Sequence, residues 1–162
     1  MMMKPPLATD DLLGRLNLLV SSFHRLTGKH LLEPGYGDLW QACWTAPRVI
    51  VAHGTETDPI FFYGNQLALE LFELDFAAFT QLPSRYSAEA LLREERATLL
   101  ERVREHGFID DYAGVRVSAT GKRFRIEQAV VWNLVDEAGR RHGQAATFAH
   151  WAPLPDKLPD AS

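Results

Sequence analysis

The chain contains a single cysteine, Cys43. One thiol excludes an internal disulfide and any cysteine-built zinc knot, and it suits a reducing compartment. Cationic excess is also missing. Lys and Arg total 17 against 21 Asp and Glu, a formal net charge of -4. Nothing in that balance favours neutralising phosphates, so no direct nucleic-acid binding is expected. No stretch approaches the about 18 consecutive apolar residues of a membrane-spanning helix. Met1 to Pro6 lacks the continuous apolar segment of a secretion signal. These absences lead us to expect a soluble cytoplasmic protein with no membrane partner.

Chemical motifs are equally scarce. There is no glycine-rich phosphate loop. His24, His30, His53, His106, His142 and His150 form no His-x3-His pair, so no metal ligand is assigned. Ser84 and Ser87 lack a nucleophile-elbow setting. Asp110 and Asp111 are adjacent, and neighbours in a strand point to opposite faces. No catalytic residue is assigned, and the protein is not expected to be an enzyme.

What is present is an ordinary globular composition, 46% hydrophobic and 23% charged. Thr9-Asp10-Asp11 reads as a helix start, with Leu12, Leu13, Leu16, Leu19, Val20 and Phe23 as its apolar stripe and Gly28 as its stop. The stripe either packs on its own domain or forms a dimer seam. Asp38 can cap one or two helical turns. Arg48–Ala52 and Ile60–Tyr63 read as strands of a hairpin. Gly64 permits a turn, Asn65 suits an N-cap, and a helix runs to about Leu74. Asp75 caps a shorter helix, Pro83 breaks it, and a longer helix runs from Ser87 to about His106. Three strands follow: Phe108–Ser118, Arg123–Leu134 and Gly143–Trp151. Strands, a helical block and strands again indicate α+β. The expected divisions are a helical extension (1–47), a core domain (48–151) and a disordered tail (152–162) with three prolines.

Seven blocks in order narrow this reading. They are His53–Phe61, Leu82–Arg85, Arg93–Arg96, Asp111–Arg116, Arg123–Ile126, Val131–Asn133 and Gly143–Phe148. Together they resemble the MEKHLA domain, a PAS-related family found in plant homeodomain-leucine zipper regulators and as stand-alone bacterial proteins. The likeness runs from about His24 to Trp151. It implies a PAS-like five-stranded antiparallel sheet with a helical middle segment, working as a small-molecule sensor of the stand-alone bacterial type. The hexapeptide that names the family is absent from this sequence, as are a homeodomain and a zipper, so DNA binding does not carry over. Any signal would leave through a partner or a homodimer, with the N-terminal helix as the expected seam.

A cofactor is left unknown. Cys43 precedes the first strand between tryptophans, which favours a buried structural thiol over a flavin-reactive one. His106, at the end of the long helix, is the one histidine placed for haem. Non-covalent flavin stays open. The expected ligand-binding residues are His53, Tyr63, Asn65, Arg85, Tyr112, Phe124, Ile126, Gln128, Trp132 and Phe148. Phe124, Ile126, Gln128, Val130 and Trp132 share strand parity and would line one face. Gln128 is either a polar group on that face or a bulge turned outward. Arg85 pairs with a ligand carboxylate or with Glu89, Asp110 or Asp111. Tyr112 and Trp132 serve as aromatic walls or as plain core.

Overall fold

The computed structural model describes residues 4–88 and 93–155. Helix α1 spans Asp10–Thr27. Thr9 caps it by accepting from the Leu12 amide at 3.2 Å, and left-handed Gly28 ends it with its N–H on the His24 carbonyl. Helix α2 (Leu39–Trp44) is capped by Asp38. Strands β1 (Val49–His53) and β2 (Phe61–Gly64) pair antiparallel. Helix α3 (Gln66–Phe72) starts at Asn65, and α4 (Phe76–Phe79) starts at Asp75, whose carboxylate accepts from the Ala78 amide. A 3-10 turn covers Ser84–Ser87, and helix α5 covers Arg93–His106. The expected helix start at Ser87 is therefore a 3-10 turn, and Glu89, Leu91 and Leu92 lie outside the described residues.

Strands β3 (Phe108–Val117), β4 (Arg123–Val135), β5 (Arg141–Phe148) and β6 (His150–Pro153) complete the sheet. Its order is β2-β1-β5-β4-β3, with β6 paired to β4. The expected final strand is thus two strands, and the antiparallel sheet has six strands instead of five. The cause lies in β4. Gln128 holds a left-handed backbone, φ 53°. Before it, Phe124–Glu127 pairs with β6; after it, Val130–Val135 pairs with β5. Pro153, placed at sequence level in the tail, ends β6 opposite Phe124. Residues 156–162 of that tail lie outside the described residues.

Both faces of the sheet are covered. On one, Leu16, Leu19 and Phe23 of α1 pack with Ile50, Ala52, Trp132 and Leu134. On the other, α3 and α4 bring Ala68, Leu69, Phe72 and Phe79 against Val49, Val51, Phe124 and Ile126. Leu99 and Val103 of α5 continue that layer over Ile109 and Val131. Hence all five residues of β1 are buried, the pattern of a strand with no solvent face. Gly64 is required by this packing, because a Cβ there would sit 2.7 Å from the Phe79 ring.

Candidate functional site

A cavity of about 70 Å³ lies between the sheet and the helical layer of α3 and α5. Its walls are mostly apolar, with Phe61, Phe72, Ile126, Val131 and Phe148 prominent. The polar exceptions are His53, Ser87, Arg116 and Gln144. The His53 ring is buried, with Nδ1 3.0 Å from the Gly54 carbonyl. The Ser87 hydroxyl donates to the Ser84 carbonyl at 2.7 Å. The Arg116 guanidinium lies 5.2 Å from the centroid of Tyr112, which also lines the cavity.

Gln144 is the group whose needs are not met. It is 2% exposed, and its Oε1 has no hydrogen-bond partner. The orientation of its amide follows from its neighbours. Asn133 Nδ2 donates to the Val103 carbonyl, which turns Asn133 Oδ1 toward β5. That oxygen takes a hydrogen bond from Gln144 Nε2 at 3.0 Å, and the same nitrogen lies 3.4 Å from the Leu100 carbonyl. Two acceptors on that side fix the NH2 there and leave Oε1 alone. A buried amide oxygen without a donor costs about 1–3 kcal/mol.

Only part of the expected set converges on this cavity. His53, Tyr112, Ile126 and Phe148 line it, and Phe124 packs beside it on Phe72. Gln128 and Trp132 do not. The left-handed residue at 128 adds one position to β4, so the face reverses along the strand. Phe124 and Ile126 face the helical layer, and beyond the bulge Ala129 and Val131 do so. Gln128 is exposed, and Trp132 faces α1, where it meets Phe23 edge-on at 4.9 Å and donates from Nε1 to the Leu19 carbonyl. Tyr63 is displaced the same way. The register of β2 slips at Phe62, so Phe61 pairs with His53 and Tyr63 with Ala52. Phe61 takes the cavity wall, and Tyr63 joins the cluster under α1. Burial raises the Tyr63 phenol far above its ordinary value.

Asn65 and Arg85 are committed elsewhere. Asn65 Oδ1 accepts from the Ile50 and Ala68 amides, and Nδ2 donates to the Cys43 and Arg48 carbonyls. Its four bonding positions are filled. Arg85 forms an ion pair with Asp58 at 3.0 Å and lies over the Tyr86 ring. His53, Tyr63 and Arg85 therefore share no cleft. Cys43 is buried under α1, away from the cavity, and burial pushes its thiol up to about 12. His106 is exposed and does not line the cavity.

Gln144 was the residue sequence reasoning passed over. A period of two counted back from Phe148 reaches Ala146 and Gln144, the one amide in a strand of small residues. Phe61, Phe72 and Arg116 carried no such signal.

The comparisons agree with this architecture. Residues 14–153 match the family described as the MEKHLA domain. The chain belongs to the MEKHLA domain family. Its relatives include the rice (Oryza sativa subsp. indica) homeobox-leucine zipper protein HOX29, 28% identical over 115 residues, which cover 70% of this chain and 13% of that protein. ATHB-15 of Arabidopsis thaliana is 20% identical over 153 residues, covering 93% of this chain and 18% of the relative. The chain thus spans less than a fifth of these plant proteins. Among solved structures, a PAS domain from Colwellia psychrerythraea superposes with TM-score 0.58 at 13% identity, covering 70% of this chain and 92% of that one. The light-state dimer of the fungal blue-light photoreceptor Vivid gives 0.57 at 12% identity, covering 88% and 95%. This MEKHLA domain therefore has the PAS fold. Among the described residues, no helix is long and apolar enough to cross a membrane.

Proposed function

We propose that this MEKHLA domain senses a compact, largely apolar small molecule carrying one hydrogen-bond donor, held between the sheet and α5. The observation that carries the reading is the partnerless Oε1 of Gln144 in a residue lining an apolar cavity. A donor supplied by a ligand relieves that cost, while the apolar walls gain burial. The cavity, at about 70 Å³, is well short of the about 300 Å³ that drug-sized ligands need. A ligand of that size selects an arrangement in which the helical layer stands further from the sheet, and this difference in affinity is the signal. Gln144 is bonded to Leu100 of α5 and, through Asn133, to Val103, so occupancy acts directly on that helix. Flavin and haem are not assigned. The output is association with a partner or a second copy. A homodimer through α1 has to use the part of that helix left exposed, because Leu16, Leu19 and Phe23 are buried on their own sheet.

Native mass spectrometry of the protein purified from its host tests the proposal. A stoichiometric adduct is expected in the wild type and its loss in Gln144→Leu. A bare wild-type mass after gentle desalting, or an adduct unchanged in the variant, contradicts it. One observation favours a second reading, a pure interaction module. The cavity walled by Phe61, Phe72 and Phe148 holds only about 70 Å³. In that case Gln144→Leu raises the melting temperature and leaves partner binding intact.

A further inference from the structure

Four exposed guanidiniums of this domain have acids beside them. Arg15 pairs with Asp11, Arg85 with Asp58, Arg104 with Glu101 and Arg125 with Glu127. Arg48 is more deeply placed and has none. Its Nε is buried without a hydrogen-bond partner, and no ion pair forms with its guanidinium among the described residues. Arg48 is half-buried, and an arginine stays charged at any working pH, so the desolvation of its inner edge is not offset by an acid. Burial lowers its pKa accordingly.

The side chain is also firmly based. The Arg48 carbonyl accepts from Asn65 Nδ2 at 2.8 Å, and β1 begins at the next residue. Arg48 lines a groove of about 660 Å³ that shares no residue with the cavity. His30, Tyr36, Gln128 and His150 line it too, all with donors to offer, and Glu33 lines it without an ion pair to Arg48. Gln128 reaches this groove because of its left-handed backbone, which costs stability in a residue other than glycine and has no role in the cavity.

We propose that this groove is a second binding site, for a small oxyanion (a carboxylate or a phosphate) held by Arg48 with Gln128 and the two histidines around it. A guanidinium offers two parallel N–H groups to either anion, and the unpaired charge is what such a ligand satisfies. The site stands independently of the Gln144 cavity.

The test follows the Arg48 Nε–Hε resonance of the 15N-labelled wild type, and the Gln128 side-chain amide resonances of the wild type and both variants, during separate titrations with inorganic phosphate and with acetate at constant ionic strength. Melting curves are recorded in anion-poor buffer and at the end of each titration. A saturable shift is expected, with affinity weakened about tenfold or more in Arg48→Gln and less in Arg48→Lys. Arg48→Gln should melt at or above the wild type in anion-poor buffer, and unlike the wild type gain nothing from the anion. Preference for phosphate identifies a phosphorylated ligand; equal or better response to acetate identifies a carboxylate. A linear, unsaturated shift with both anions overturns the proposal. So does wild-type affinity in Arg48→Gln, or a marked fall in that variant's melting point without anion, which would make Arg48 a structural residue.

Discussion

Asn65 shows how much one side chain can fix. Its amide closes the start of α3, fastens that helix to β1 and ties β1 to the end of α2. Removing it strands two amides and two carbonyls in a fully buried position. Asn65→Ala should lose about 2–4 kcal/mol in urea unfolding. Asn65→Asp should fare no better, because a carboxylate would face the two carbonyls that Nδ2 now serves. Trp132 has a comparable structural weight on the face under α1. Trp132→Ala should cost about 3–5 kcal/mol, while Trp132→Phe should cost about 1 kcal/mol through the lost bond to Leu19. Cys43 belongs to the same layer, and a thiol raised to about 12 by burial is a poor nucleophile at neutral pH. Folded protein should resist iodoacetamide, and urea should expose the thiol to it.

At the scale of elements, the local punctuation was readable before any coordinates. Thr9, Asp38, Asn65 and Asp75 cap the helices that follow them, and Gly28 ends α1. Each of these contacts spans only a few residues, so the sequence carries the whole interaction. The faces of the strands were not readable in the same way. Strand parity placed Trp132 in the cavity and overlooked Val131, because the slip at Gln128 arises where β4 changes partner from β6 to β5. Tyr63 was expected at the site for its place at the close of the first hairpin, and the slip at Phe62 puts Phe61 there instead. A bulge is decided by the neighbouring strand, and a period-two pattern has no term for it. Another corner depends on charge. Left-handed Glu73 ends α3 and accepts from Thr120 Oγ1, with Lys122 Nζ 3.3 Å away. These bonds, the Thr120 one foremost, hold its carboxyl below the ordinary 4.5. The folded value is the lower one, so this contribution is present above pH 4.5 and is lost as pH falls through the depressed value. Glu73→Gln should therefore flatten the acid limb of the stability profile measured by urea unfolding between neutral pH and pH 3.

For the whole molecule, the decisive feature is a sheet covered on both faces. Helix α1, which sequence reasoning placed outside the core domain, roofs one side of it, and the family match begins within that helix. Deleting residues 1–28 should expose Ile50, Trp132 and Leu134 together, giving aggregation in light scattering rather than a clean monomer. The opposite side retains a small void, and the sensing proposal depends on where that void lies. Xenon enters apolar cavities large enough to hold it, so a diffraction experiment on xenon-pressurised crystals locates the void directly. The expected result is a single internal xenon peak among Ile126, Val131 and Phe148, beside Gln144. No peak there, or one against Trp132 beneath α1, would contradict the account.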